Sequence, residues 1–193
     1  MAQQQMGIGP LGFNNIIFKR KFRYTFTVQN ICNKGITMPP FYVKTSARPH
    51  LAIEETEINY LNAKIFIPGK ATWETITVTY IDVVDQNNIA YFKPLWDWLA
   101  SVYNFTDPIN LQMGSRGNDY TAQGILNEYD GCGTLLNTWT LNRLWPTDIN
   151  FGEVDYASSE ECTIELTLRY SDVIYTPVCP NFAIQPCCTP CGS

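Results

Sequence analysis

The chain has 193 residues, of which 45% are apolar, 13% aromatic and only 16% charged, and its net charge is −5. That length suits one domain with decorations, and no apolar run approaches the roughly 18 residues of a membrane span. Thirteen Lys and Arg against eighteen Asp and Glu argue against a grip on nucleic acid through its phosphates, while few charges and many aromatics suit a surface that meets other protein.

Residues 1–20 read as an arm, with three Gln in a row, scattered Gly and Pro, and no period. They lack the charged start and apolar block of a secretory signal. Gly7-x-Gly9-x-x-Gly12 spells a dinucleotide fingerprint, but only six residues precede it and Pro10 interrupts it, so the required strand and helix are missing.

Residues 21–176 read as the folded domain, mostly strands. From Phe22 to Gln29, Phe22, Tyr24, Phe26 and Val28 share one face, and Arg23, Thr25, Thr27 and Gln29 the other. From Trp73 to Asp82, Ile76, Val78 and Tyr80 oppose Thr75, Thr77 and Thr79. From Cys162 to Tyr170, Cys162, Ile164, Leu166, Leu168 and Tyr170 oppose Thr163, Glu165, Thr167 and Arg169. Each segment has one greasy face and one polar face rich in Thr, as in a sheet packed on one side only. Phe41 to Ile67 and Tyr120 to Leu144 read as further strands and hairpins, with Pro68-Gly69-Lys70-Ala71-Thr72 as a turn. One helix is predicted over 87–103, with Ile89, Phe92, Trp96, Leu99 and Tyr103 on its apolar face. Asn87 or Asn88 would cap it, and Pro94 would delay its start or bend it.

Residues 177–193 read as a second arm, holding four Pro and four of the seven Cys. The tail spacing, C-x7-C-C-x2-C over Cys179, Cys187, Cys188 and Cys191, does not give the two spaced pairs of a zinc site. Zinc, disulfides and free thiols all remain open. An odd cysteine count allows bridges to a partner chain, with Cys32, Cys179, Cys187, Cys188 and Cys191 as inter-subunit candidates.

Catalysis finds little support. A hydrolytic triad would need His50, the sole histidine, in a loop-like stretch after Arg48-Pro49. Glu54, Glu55 and Glu57 are neighbouring carboxylates of a kind that usually forms a solvated edge. No enzyme, cofactor or metal is expected. Asn104-Phe105-Thr106 is a formal glycosylation sequon without a secretory context.

Two blocks are more specific. One runs from Lys70-Ala71-Thr72-Trp73-Glu74 through Tyr80-Ile81-Asp82 and on into the helix. The other holds Trp139-Thr140-Leu141-Asn142-Arg143-Leu144-Trp145-Pro146-Thr147, then Asn150-Phe151-Gly152, and closes on Leu168-Arg169-Tyr170. Together they resemble the tail tube proteins of contractile-tailed bacteriophages, over roughly Phe22 to Tyr175. The tubes of contractile injection and type VI secretion systems share that fold.

The resemblance implies a mainly β fold, a small barrel or sandwich with one flanking helix. Six copies would form a ring whose sheets join edge to edge into one barrel around a lumen. It implies stacking of rings inside a contractile sheath, with tape-measure, baseplate and terminator proteins as partners and DNA passing without specific binding. No membrane is involved, and the expected location is the virion tail, assembled in the host cytoplasm. Within this scheme Thr25, Thr27, Thr75, Thr77, Thr79, Thr163, Glu165 and Thr167 are the lumen candidates. The segment around Lys44 to Tyr60, with Lys44, Arg48, Glu54, Glu55 and Glu57, would reach into the next ring. The alternatives are a tube that passes protein in an injection or secretion machine, and a monomeric β-sandwich that binds a ligand such as a carbohydrate.

Overall fold

Side chains that alternate in and out build the core. In the computed structural model, residues 19–83, 92–103, 105, 120–130 and 133–177 are described. Their strands are Tyr24–Ile31 (β1), Ile36–Met38 (β2), Val43–Ser46 (β3), Leu51–Tyr60 (β4), Ala63–Trp73 (β5), Ile76–Ile81 (β6), Ala122–Tyr129 (β7), Leu135–Asn150 (β8), Thr163–Arg169 (β9) and Asp172–Pro177 (β10). The helix is Phe92–Val102 (α1). Phe26 and Val28 of β1, Ile76, Val78 and Tyr80 of β6, and Ile164, Leu166 and Leu168 of β9 are fully buried in one cluster. Each such side chain contributes about 1.5–3 kcal/mol by leaving water.

The sixteen-residue strand β8 organises the sheets. Its first part pairs with β7 on one side and β10 on the other; its second part pairs with β9. The strand order is β2-β1-β7-β8-β9-β6-β3, with β10 branching from β8 and β4-β5 forming a separate ladder. Between the two parts of β8 stands Arg143, at φ +53°. A left-handed residue inside a strand turns it, and strands that bend and switch sheets form the corners of two-layer β folds. The result is an open sandwich: a β1-β7-β8-β10 layer and a β3-β6-β9-β8 layer over a shared core. Each layer therefore turns its other face outward.

The layers do not close into a barrel within one chain. At the seam, the Tyr24 hydroxyl donates to the Lys44 carbonyl at 3.1 Å, but β1 and β3 share no ladder. The seam is held instead by Glu128, a buried carboxylate at the end of β7. It accepts from Lys19 Nζ at 3.0 Å and Asn137 Nδ2 at 2.9 Å, and it pairs with Arg48. Burial pushes its acidity down. The hydrogen bonds from Asn137 and Lys19 and the charges of Arg48 and Lys19 outweigh that, leaving its pKa below the ordinary glutamate value.

Several expectations need correction. Phe22 precedes β1 and is exposed, and Cys162 precedes β9 and is exposed rather than buried on its greasy face. The Pro68-Gly69-Lys70-Ala71-Thr72 stretch is not a turn but part of β5. There Ile53 faces Ala71 while Glu55 faces Pro68, so Gly69 and Lys70 together oppose Glu54 in a bulge. A side chain on Gly69 would press on the Glu54 carbonyl at 3.1 Å. Pro94 lies within the described helix, Phe92–Val102. Its buried residues are Leu95 and Trp98, whereas Phe92, Trp96 and Tyr103 are about half exposed. The expected caps Asn87 and Asn88, and Ile89, lie outside the described residues, as do Gly7, Gly9, Gly12, Asn104 and Thr106.

Gly152 and Gly133 both sit at positive φ, but only at Gly152 would an added Cβ collide, with the Thr163 carbonyl oxygen. Gly133→Ala should cost about 1 kcal/mol, the price of the left-handed backbone. Gly152→Ala should cost more, about 1–3 kcal/mol, as read by thermal unfolding of the two variants. Glu128 makes a second prediction. A carboxylate with a depressed folded pKa adds stability above its unfolded pKa and loses it as pH falls through the folded one. Acid unfolding should therefore steepen below about pH 4.3, the ordinary glutamate value, and Glu128→Gln should flatten that part of the curve.

Candidate functional site

The outward faces of the two layers are the first candidate surface. On the β6-β9 face, Thr77 lies opposite Thr167 and Thr79 opposite Glu165, with Thr163 on the same side of β9. The Thr45 hydroxyl of β3 donates to that of Thr79 at 2.8 Å. Five of the eight expected lumen residues are thus brought together. Thr75 lies outside β6, in the exposed link after β5. Thr25 and Thr27 belong to the other layer and face away from those five.

That other layer carries a wider polar face than the sequence suggested. Register alone places Thr25, Asn127, Thr138 and Thr176 in one row, and Thr27, Ile125, Thr140 and Ile174 in the next. Thr138 Oγ1 donates to Asn127 Oδ1 at 2.8 Å, and the Thr25 hydroxyl lies 3.2 Å from that of Tyr129. One row further, Gln123 donates to Asn142 at 3.2 Å and Asn142 to Asp172 at 2.7 Å. Across these rows, side chains that bond sideways to one another form a nearly uncharged sheet surface. Asn127, Thr138, Thr140 and Thr176 were missed. The signal was there, since outward positions fall at every second residue of each strand.

The second surface is the β4-β5 hairpin, which no described element of the body packs against extensively. It is amphipathic. Ile58 pairs with Ile65, Thr56 with Ile67 and Tyr60 with Ala63 on one face; Glu55, Glu57, Asn59 and Lys64 occupy the other, where Phe66 lies opposite Glu57. Glu57 and Lys64 form an ion pair at 2.8 Å. Ile58, Tyr60, Ile65 and Ile67 are all exposed, and at the tip Leu61 is 90% exposed at φ +52°. A two-stranded ladder with an open apolar face is marginal alone, and such a patch marks a docking surface. The segment expected to reach outward therefore divides. Glu54, Glu55 and Glu57 ride on the projecting hairpin, which continues to Trp73, while Lys44 and Arg48 stay at the seam of the body.

Among the expected disulfide partners, Cys32 is buried, with its thiol 3.0 Å from the Ser101 hydroxyl of α1. Cys179, Cys187, Cys188 and Cys191 lie outside the described residues. Among the described residues no cluster of three His, Cys, Asp or Glu is spaced to hold a metal, and no helix is long and apolar enough to cross a membrane.

No protein-family model matches the chain. Its sequence is 27% identical over 130 residues to the tail tube protein gp19 of Enterobacteria phage T4, spanning 66% of this chain and 76% of that protein. The tail tube protein gp19 of Enterobacteria phage T6 is 26% identical over the same spans. Among solved structures, the fold matches a chain of the PVC extracellular contractile injection system sheath–tube complex in its extended state. The TM-score is 0.61 at 18% identity, covering 83% of this chain and 93% of that one. A chain of the PVC sheath/tube terminator matches with a TM-score of 0.62 at 18% identity, covering 84% and 99%. By sequence the chain is thus similar to phage tail tube proteins, and its fold is the one found in chains of contractile injection system tube complexes.

Proposed function

We propose that six copies close into a ring, that rings stack into the tube of a contractile phage tail, and that this tube is the conduit for the genome. The observation that carries this reading is the amphipathic hairpin. Among the described residues its Ile58, Tyr60, Ile65 and Ile67 face is exposed, and neighbouring subunits would bury it. Open edges support the reading further. Among the described residues β10 pairs only with β8, and β2 only with part of β1. Joining β10 of one copy to the β2-β1 side of the next removes edges that would otherwise invite aggregation.

In this arrangement the bore wall is the Thr25–Asn127–Thr138–Thr176 face, because it is the broader and less charged of the two. Hydroxyls and amides already bonded to one another offer no cations to hold phosphate, so a polyanion slides past. The five residues Thr77, Thr79, Thr163, Glu165 and Thr167 then face away from the bore. The partners of the assembled tube are the sheath around it, a tape-measure protein within it, and baseplate and terminator proteins at its ends. The sequence likeness to phage tube proteins favours a genome conduit over a protein-passing machine. The unpartnered hairpin face disfavours a monomeric binding module.

Two measurements check this. Ile58→Asp with Ile65→Asp should leave the body's unfolding midpoint within about 0.5 kcal/mol of the parent, since exposed positions tolerate such changes, yet abolish hollow rods in electron micrographs. Single cysteines at Thr138 and Thr167 should also differ in assembled rods. Above the background of the native cysteines, Thr138→Cys should be shielded from a bulky polymer-linked maleimide and Thr167→Cys should not.

A further inference from the structure

Six of the chain's thirteen Lys and Arg line one cavity of about 810 Å³: Lys19, Arg20, Lys21, Arg23, Lys44 and Arg48. It lies at the open seam between β1 and β3, with Phe22, Tyr24, Leu126 and Tyr129 as its apolar lining. Its one carboxylate, Glu128, is already occupied by Lys19, Arg48 and Asn137. Among the described residues Arg20, Lys21, Arg23 and Lys44 have no ion-pair partner. Residues 1–18 and 178–193 contain no Asp or Glu side chain.

The complementary charge sits at the other end of β8. The loop from Glu153 to Glu161 carries Glu153, Asp155, Glu160 and Glu161 and no Lys or Arg. It is a shaped knuckle. Asn150 Oδ1 accepts from the Gly152 amide at 3.0 Å, Asp155 Oδ1 from the Ala157 amide at 3.0 Å, and Ser158 Oγ from the Glu160 amide at 3.2 Å. Val154 and Tyr156 stand out from it, almost wholly exposed. The β4-β5 hairpin is a poorer match, since its Glu54, Glu55 and Glu57 are offset by Lys64 and Lys70.

We infer that the Glu153–Glu161 knuckle of one copy seats in the Lys19–Arg48 cleft of a second copy. The knuckle is no part of its own cleft: no residue from 153 to 161 lines it, and the knuckle leaves after Asn150, on the far side of the bend at Arg143 from Asn137. A contact between unlike ends is head-to-tail and propagates rather than closing a pair. The inference rests on the tube reading for its direction. Strands of a closed wall tilt roughly 35–45° from its axis, so the two ends of β8 come to opposite ring faces and the contact joins ring to ring. Val154 and Tyr156 would meet the aromatic lining while the four carboxylates meet the free cations.

The test uses the full chain with reversed charges at solvent-facing positions: Arg20→Glu, Lys21→Glu and Arg23→Glu in the cleft, or Glu153→Lys, Glu160→Lys and Glu161→Lys in the knuckle. Circular dichroism confirms that each variant folds. Each reversed chain alone should associate at least about tenfold more weakly than the parent in sedimentation. An equal mixture of the two should regain association, since native meets native and reversed meets reversed. Parent association should fall about tenfold between roughly 0.05 and 0.5 M salt, as for exposed charge pairs. Undiminished rods from either reversed chain, or no recovery in the mixture, would overturn the pairing while the tube reading stands. Duplex DNA that binds the parent and loses binding on cleft reversal, without any change in self-association, would also overturn it and assign the cleft to phosphate. A parent chain that pairs head-to-tail in sedimentation but forms neither rings nor rods would support the pairing and defeat the tube reading instead.

Discussion

Everything in this fold follows from one strand that serves two layers. β8 is long enough to pair with β7 and β10 and then, past the left-handed Arg143, with β9. Its inward Leu141 and Leu144 are fully buried in the common core. Because the bend folds one layer over the other, both outer faces are left for contact or solvent. The same bend leaves the layers unclosed, so the chain ends its hydrogen bonding at exposed edges. A single domain could cap these edges itself. Among the described residues no strand caps them, and the hairpin repeats the pattern with an exposed apolar face.

Charge is distributed in keeping with that geometry. Cations collect at the seam, carboxylates collect on the knuckle, and the outer face of the β1-β7-β8-β10 layer is nearly neutral. Net charge alone, at −5, hides this separation. Glu128 sets the seam as a buried carboxylate that engages two exposed cations, Lys19 and Arg48, and leaves the others free, so a buried carboxylate and an open cleft are parts of one feature.

The three strands with strict alternation were legible because their inward residues are large and apolar: Phe26 and Val28, Ile76 to Tyr80, and Ile164 to Leu168. β7 was not, and the reason is chemical. Its inward positions are Ala122, Gly124, Leu126 and Glu128, and its outward ones include Ile125 and Tyr129. Gly124 must stay small, because a Cβ there would meet Leu144 at 3.0 Å. Glu128 is buried only because three donors reach it. With those identities the period inverts, and the rows that extend Thr25 and Thr27 across the sheet stayed hidden. The helix misled in a related way. Its aromatic residues form an outer cluster, with Trp96 stacked on Phe105 at 5.0 Å and Phe92 against Phe151 at 4.6 Å, while Leu95 and Trp98 face the core. The apolar stripe of this helix is thus not its buried face.

Amide hydrogen exchange along β10 most directly tests whether separate copies complete one wall. In dissociated subunits, the amides of Asp172–Pro177 that are not bonded to β8 should exchange at solvent-like rates. In assembled rods they should be protected as strongly as those of β7. Equal, fast exchange of β10 in both states would show that its edge stays open to water, and the shared wall would be contradicted.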